Sequence, residues 1–311
     1  MQKKTGLAFK AHRLRNQFRM YWQICLLILP ALAILIYFKY YPMYGVQIAF
    51  RDYKMNLGIW GSKWIGLDIF HKLFKTKAFL QAFRNTVILN LYSLVFAFPL
   101  SILFGVMLNE CRWNGYKRIV QTVTYLPHFL SWVIVYALFN NMLQLNTGIV
   151  NRIISLFGHE QIIFLQSTKY FRSIIVISEI WKNTGWNTIV ILAGITAVDP
   201  ALNEAALIDG ASRFQRVLYV TLPCIRSTIV VLLILKLGAL MQNDITQIMM
   251  FYNSTTYEVG DVIGTYIYRQ GIGKMSFSLT TAAGLIQSCI GMVLILITNT
   301  IAHKMGETGL W

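Results

Sequence analysis

One stretch of the chain carries side chains able to hydrogen-bond a hydroxyl-rich ligand. In the apolar segment 173–198, five polar or aromatic residues recur at spacings that a helix would place on one face. Asparagine both donates and accepts hydrogen bonds, and an indole ring can stack on the apolar face of a sugar ring. Residues of these types could line a path for a ligand rich in hydroxyl groups, and they are Glu179, Lys182, Asn183, Trp186 and Asn187.

The charged members of this face have alternative interpretations. Glu179 and Lys182 lie one helical turn apart and can neutralise each other within a helix bundle. Lys236, in the apolar segment 224–241, can instead pair with Glu179, extend towards the membrane surface, or continue the path together with Asn243 on its own face. We favour the pairing of Lys236 with Glu179, and we assign both Lys236 and Asn243 to the candidate substrate path.

Helices that cross a membrane must position these residues. Hydrophobic residues make up 56% of the 311 and charged residues only 13%, which is typical of an integral membrane protein. Because about 20 apolar residues cross the hydrocarbon, hydropathy predicts an all-α fold with six transmembrane helices. A charge facing lipid would cost about 2.5–3.5 kcal/mol, so the polar face must look into the bundle. The predicted spans are 22–42, 86–108, 119–142, 173–198, 224–241 and 275–301.

The net charge of +16 is explained by basic flanks beside anionic lipid. No segment resembles a nucleic-acid recognition module, so we expect membrane lipid and no nucleic acid among the partners. The cysteines are scattered without a CxxC spacing, which predicts neither a disulfide framework nor a metal site. They are Cys25, Cys111, Cys224 and Cys289.

The chain is predicted to form one transmembrane domain, 22–302, between a basic segment, 1–21, and a short tail, 303–311. An even number of spans places both termini on one side of the membrane. Basic residues in the N-terminal segment and in the short loop 109–118 favour the cytoplasm for that side. The same orientation puts the polar loop 199–223 in the cytoplasm.

The loop 199–223 has the local signals of two short helices. Asp199 suits an N-cap and Pro200 the first helical position, while Gly210 suits the left-handed residue that ends a helix. These signals predict a helix of about ten residues. Ser212 can cap a second short helix, which Pro223 would stop.

The same loop contains Glu204-Ala205-Ala206, then Asp209-Gly210-Ala211, and then Leu222-Pro223. These residues resemble the signature of the membrane subunits of binding-protein-dependent ABC importers. Val220 departs mildly from the sugar-importing branch, which usually has isoleucine there. The resemblance implies the type I ABC importer permease fold, with this loop forming a cytoplasmic coupling helix that docks on an ATPase. The positions that carry the resemblance, and hence the expected coupling residues, are Glu204, Ala205, Ala206, Asp209, Gly210, Leu222 and Pro223.

Further segments with a distinctive sequence are PMYG at 42–45, FRDY at 50–53, YLPHFLSW at 125–132 and TYIYR at 265–269. They are similar to the branch of sugar permeases that handles complex oligosaccharides and polysaccharides. The resemblance implies a bacterial cell membrane protein that works with a homologous second permease, two ABC ATPase subunits and an extracytoplasmic sugar-binding protein. ATP and Mg would be bound by the ATPase subunits. This chain has no phosphate-binding loop of the GxxxxGK[ST] type, so we expect no cofactor in it and no enzymatic activity of its own. The similar segments are 42–45, 50–53, 125–132, 265–269 and Trp311.

Two other functions remain open on the residues alone. In a secondary transporter, Glu179 and Lys182 would be ion-coupling groups, but that class typically has internal repeats, and none is evident between the two halves. A non-catalytic membrane subunit of a glycan-handling complex is the other alternative. The charge of the glycan is also open, because Lys182 and Lys236 suit an anionic chain whereas the asparagines and Trp186 suit a neutral one.

Overall fold

The computed structural model describes residues 21–24, 26–307 and 309–310. The predicted basic segment 1–21, except for its last residue, lies outside the described residues, as do Cys25 and Trp311. The described part of the chain is almost entirely helical. In chain order its elements are α1 (Tyr21–Phe50), β1 (Arg51–Asp52), α2 (Gly58–Gly61), β2 (Lys63–Trp64), α3 (Asp68–Lys75), α4 (Lys77–Glu110), α5 (Asn114–Phe129), α6 (Trp132–Leu143), α7 (Ile149–Leu156), α8 (Thr168–Thr196), α9 (Pro200–Ile208), α10 (Arg213–Cys224), α11 (Arg226–Gly238), α12 (Ile245–Phe251), α13 (Tyr257–Gly260), α14 (Ile263–Gly271) and α15 (Phe277–Lys304).

Three of these helices, α1, α4 and α15, are each long and apolar enough to cross a membrane. Three further candidates are bent pairs, α5 with α6, α8 with α9, and α10 with α11, whose members meet at angles of 105°, 71° and 63°. The described residues therefore contain three candidate spans, or up to six if each bent pair counts as one. The number six remains a prediction.

The helix is not continuous over the predicted span 119–142. The chain breaks between α5 and α6, which meet at 105°. Pro127 lies in a 3₁₀ turn, Leu126–Phe129, at the end of α5, and Ser131 starts α6 by accepting a hydrogen bond from the Ile134 amide through its Oγ (3.4 Å). Proline lacks an amide hydrogen, and serine is a strong N-cap, so this short sequence ends one helix and begins another.

The fifth span is also shorter than predicted, since α11 covers Arg226–Gly238 rather than 224–241. The first is longer, because α1 continues as a 3₁₀ helix over Tyr41–Phe50, beyond the predicted end of the apolar run. The polar segment after α1 then forms a two-stranded antiparallel pair, in which Arg51 lies opposite Trp64. Helix α3 packs Ile69 and Leu73 against α4, α14 and α15.

Close contact between α5 and α8 depends on a glycine. A Cβ atom built at Gly185 in α8 would lie 2.2 Å from the carbonyl oxygen of Thr124 in α5. Only a residue without a side chain allows this approach. The contact holds the end of α5 beside the middle of α8, where the polar face lies.

Candidate functional site

Lys182 closes the break between α5 and α6. Its side chain leaves α8 and is buried, with 7% of the residue exposed. The Nζ atom donates hydrogen bonds to the carbonyl oxygens of Pro127 (3.3 Å), His128 (2.6 Å) and Leu130 (2.6 Å). The last carbonyls of a helix lack intrahelical partners, and a cation is suited to them. Lys182 therefore stabilises the non-helical backbone that the broken span creates.

Glu179 is held by α4 and α11. Its Oε1 accepts hydrogen bonds from the Ser93 hydroxyl (2.7 Å) and from Lys236 Nζ (3.2 Å). The ion pair between Lys236 and Glu179 confirms the pairing favoured from the sequence. The alternative, mutual neutralisation of Glu179 and Lys182, is wrong, because Lys182 binds the carbonyl groups instead.

Aromatic and amide groups lie beside this ion pair. The Nδ1 of His128 is 3.0 Å from Oδ1 of Asn183. The imidazole ring stacks on the indole of Trp186, with ring centres 4.5 Å apart and planes within 3° of parallel. Phe129 contacts the same indole edge-on at 5.5 Å. Trp186 nevertheless keeps 40% of its surface exposed, so it retains area with which to contact a ligand.

Helix α12 adds polar groups that were not assigned to the path from the sequence. Asp244 caps α12 by accepting hydrogen bonds from the amides of Thr246 (3.0 Å) and Gln247 (3.3 Å), and its other carboxylate oxygen accepts one from Trp132 Nε1. The position of Asp244 ahead of a short apolar run was a usable capping signal. The contact with Trp132 had no sequence signal, because it joins residues 112 positions apart. Next to Asp244, the buried Oδ1 of Asn243 has no partner among the described residues.

These side chains line three neighbouring cavities. The central cavity, about 640 Å³, is lined by Glu179, Lys182, Asn183, Asn187 and Lys236 together with His128 and the start of α6. A smaller one of about 200 Å³ shares Glu179, Asn183 and Lys236 and adds Asn243. A third, about 320 Å³ and mostly apolar, is lined by Trp186, Asn187 and Lys236.

The structure thus brings all seven residues of the candidate path to one group of cavities around α8 and α11. Amides, an indole and an ion pair offer hydrogen-bond donors, acceptors and a stacking surface, which suits a ligand rich in hydroxyl groups. That these residues contact a substrate remains a prediction. Ser93 and Asn90 of α4 also line or contact this region, and no spacing in the sequence indicated them.

The second predicted site is the loop that contains α9. Asp199 caps this helix by accepting a hydrogen bond from the Ala201 amide (2.9 Å), and Gly210 follows it with a left-handed φ of 79°. Ser212 and Gln215 form a reciprocal capping box at the start of α10. Both predicted short helices are confirmed, and α10 ends at Cys224, one residue past Pro223. A π-helical turn, Val217–Thr221, precedes Leu222 and Pro223.

The surface of α9 is open along its whole length. No residue of the helix is buried, and Leu202, Leu207 and Ile208 are 49%, 59% and 85% exposed. The carboxylate of Glu204 makes no ion pair among the described residues. Large apolar side chains on a capped, ordered helix are typical of a surface that another protein covers.

Comparison with known proteins adds three kinds of match. Residues 97–307 match the family described as binding-protein-dependent transport system inner membrane component. Protein LplB of Bacillus subtilis (strain 168) is 44% identical over 286 residues, which cover 92% of this chain and 90% of that protein. The polygalacturonan/rhamnogalacturonan transport system permease protein YteP of the same organism is 43% identical, covering 92% and 89%.

A solved structure is similar over nearly the whole chain. It is a crystal structure of a bacterial ABC transporter involved in the import of the acidic polysaccharide alginate. The similarity covers 94% of this chain and 99% of that one, with a TM-score of 0.86 and 40% sequence identity. The helical arrangement described above is therefore shared with a transporter subunit.

Proposed function

The chain belongs to the family of binding-protein-dependent transport system inner membrane components, and from this premise we propose that it is the permease subunit of an ATP-driven importer of oligosaccharides. Its relatives include permeases of sugar and polysaccharide ABC transporters. The chain supplies half of a transport path through the cell membrane, and a homologous second permease supplies the other half. An extracytoplasmic binding protein delivers the glycan.

The cavities around α8 and α11 form this chain's part of the path. Amide groups of Asn183, Asn187 and Asn243 bind sugar hydroxyls, and the exposed part of the Trp186 indole stacks on a sugar ring. The Glu179–Lys236 ion pair and Lys182 keep the wall of the path folded. They join four elements, α4, α8, α11 and the break between α5 and α6, without leaving an unpaired charge in lipid.

The single observation that carries the proposal is the exposed, doubly capped loop around α9. This chain contains no phosphate-binding loop, so the energy of ATP must reach it through contact with another protein. We assign α9 as the coupling helix that docks on one of two ATPase subunits, which bind ATP and Mg. Closure of the ATPases would then shift the equilibrium between outward-facing and inward-facing arrangements of the bundle.

This assignment fixes the orientation of the chain. The loop 199–223 lies in the cytoplasm, together with both termini and the loop 109–118. The opposite ends of α4 and α8, near Lys77 and Thr168, then face the extracytoplasmic side. Glu204 contacts the ATPase, Gly210 allows the turn between α9 and α10, and Leu222 with Pro223 connects the loop to α11 through the 63° bend.

Two substitutions in the loop test the coupling role. Glu204→Lys reverses a charge on the docking surface, and Gly210→Asp adds one at a position where a Cβ meets nothing within 4 Å. Because a misplaced charge at an interface costs several kcal/mol, we expect uptake to fall by at least about tenfold. Uptake of a labelled oligosaccharide into proteoliposomes and the amount of chain in the membrane are the measurements.

The chain provides matched controls on the opposite side of the membrane. Gly158 has a φ of 78° and open space around its Cβ position, so Gly158→Asp imposes the same backbone strain as Gly210→Asp. Glu160→Lys in the same loop matches the charge reversal. Both controls should retain uptake. Normal uptake in the Glu204→Lys and Gly210→Asp proteins, at normal abundance, would contradict the coupling role.

A further inference from the structure

A fourth cavity lies at the other end of the groove between α4 and α8. It measures about 670 Å³ and is lined by Gln81, Arg84 and Asn85 of α4, Arg172 of α8 and Glu258 of α13. Two arginines and one glutamate are among these residues, so the lining carries a net positive charge. The proposed orientation puts it on the extracytoplasmic side, and the inference below rests on the proposed function in this respect.

The groups that surround Arg172 are already committed to one another. Asn85 donates from Nδ2 to the carbonyl oxygens of Glu258 (2.9 Å) and Asp261 (3.0 Å), and its Oδ1 accepts a hydrogen bond from Arg172 Nη2 (3.0 Å). The carboxylate of Asp261 is bound by Arg269 at 2.6 and 2.9 Å. This hydrogen bonding raises the pKa of Arg269, so Asp261 is a stable counter-ion for that residue and not for Arg172.

Both arginines of the cavity retain unused donors. Arg172 Nε is buried and has no hydrogen-bond partner among the described residues. Arg84 is exposed and makes no ion pair within the described part of the chain. A guanidinium group presents its donors in a planar fork that matches a carboxylate, and the resulting charge-assisted hydrogen bonds are strong. The chemistry of the cavity therefore suits a carboxylate ligand.

The cavity lies along the same face of α8 as the candidate path. Arg172, Glu179, Asn183 and Trp186 recur at spacings of seven, four and three residues on α8, which places them on one face. Two contacts join α4 to this face, from Arg172 to Asn85 and from Ser93 to Glu179. Arg172 therefore precedes the Glu179–Lys236 pair by about two helical turns, roughly 10 Å, along one groove.

The cations inside the path are not available to an anionic ligand. Lys182 is occupied by carbonyl groups, and Lys236 is paired with Glu179. An acidic glycan would thus find free positive charge at Arg84 and Arg172 rather than deeper in the groove. We propose that these two arginines form an entry subsite that binds a carboxylate of a uronate-containing oligosaccharide before it passes into the central cavity.

Direct binding tests this subsite without relying on transport. The complete importer, in nanodiscs and without its binding protein, is titrated with trigalacturonate and with the neutral methyl ester of the same trisaccharide. The wild-type complex should prefer the acid by about tenfold, the size of effect that one charged hydrogen-bond pair supplies. Arg84→Gln combined with Arg172→Gln should bring the two affinities within about twofold.

Three single variants test which arginine, and which property of it, produces the preference for the acid. Arg84→Gln alone alters an exposed side chain, so it should reduce the preference without affecting folding even if Arg172→Gln destabilises the chain. Arg172→Lys keeps the charge but not the planar fork and should restore only part of the preference. Lys169→Gln removes an equal charge one turn from Arg172, outside the cavity, and should leave the preference intact.

The proposal is overturned if the wild-type complex binds neither probe, binds both equally, or keeps its preference in the double variant. A double variant that shows no change in probe binding but loses docking of the binding protein would assign the arginines to that partner instead. Uptake of a labelled glycan by the wild-type importer is measured in parallel. Failure of uptake with an intact preference for acid would contradict the proposed function and leave the subsite standing.

Discussion

Helices α8 and α9 are consecutive in the chain, yet they differ in whether their functional side chains have partners within the molecule. On α8, polar groups are paired within the molecule: Lys182 with three carbonyl oxygens and Glu179 with Ser93 and Lys236. On α9, apolar groups are left uncovered, and Ile208 is 85% exposed. The first arrangement is what lipid requires, since lipid offers no hydrogen bonds. The second is what a docking partner requires.

The two regions also differ in the role of a glycine. Gly185 allows α5 to approach α8 so closely that a Cβ would lie 2.2 Å from the Thr124 carbonyl oxygen. Gly210 has nothing within 4 Å of its Cβ position and is needed for a left-handed turn, with φ at 79°. One glycine serves packing inside the bundle and the other serves the shape of an open loop. Substitutions in the two regions should therefore affect different measurements, stability in the first and coupling in the second.

Lys182→Met should have the largest effect on stability. Methionine fills a similar volume but leaves the carbonyl groups of Pro127, His128 and Leu130 without a donor in a buried site. We expect a loss of about 3 kcal/mol in the free energy of unfolding, measured by SDS titration in mixed micelles. Lys169→Met, at an exposed position on the first turn of α8, is the control. Equal effects of the two substitutions would show that Lys182 does not stabilise the break.

Gly185→Ala should come next. The added methyl group would displace the backbone of α5 at Thr124, and overpacking of this kind costs about 1–3 kcal/mol. Gly284→Ala in α15 is matched, because it is also a glycine in a helix but its nearest neighbouring atom is 3.9 Å from the added carbon. Thermal denaturation of the purified complex would measure both. If Gly185→Ala changed uptake without lowering the denaturation temperature, the claim that substitutions in the bundle act through stability would be wrong.

Sequence reasoning succeeded where the controlling signals are local. The bounds of α9 follow from Asp199, Pro200 and Gly210, all within or next to the helix, and the capping box of α10 follows from Ser212. Hydropathy likewise found apolar segments that overlap α1, α4, α8, α11 and α15. In each case the residues that decide the structure are close together in the chain.

Hydropathy did not detect the break at Leu130 and Ser131, because both halves of the predicted span are apolar, although Pro127 and Ser131 are local signals for it. The remaining features depended on contacts between distant residues. The three carbonyl partners of Lys182 exist only because of that break. Helical spacing brought Glu179 and Lys236 into consideration as a pair, yet Ser93 and Asp244 became visible only when α4 and α12 were in place.

Asp199→Ala should have the smallest effect on stability among these substitutions. It tests whether α9 can be destabilised without affecting α8. Loss of the hydrogen bond to the Ala201 amide should destabilise α9 by about 1 kcal/mol. Because α9 buries no residue in the described structure, the change should be local. Hydrogen exchange should become about fivefold faster over Pro200–Ile208 and stay constant in α8.

Asp199→Asn is the matched control, since asparagine caps a helix about as well as aspartate and removes only the charge. It should restore slow exchange, and uptake should fall moderately in the alanine protein alone. If the asparagine protein exchanged as fast as the alanine protein, charge rather than the cap would hold α9. If exchange also rose throughout α8, the loop would unfold together with the bundle. The distinction between α8, whose polar groups are paired within the molecule, and α9, the helix proposed to dock on the ATPase, would then be wrong.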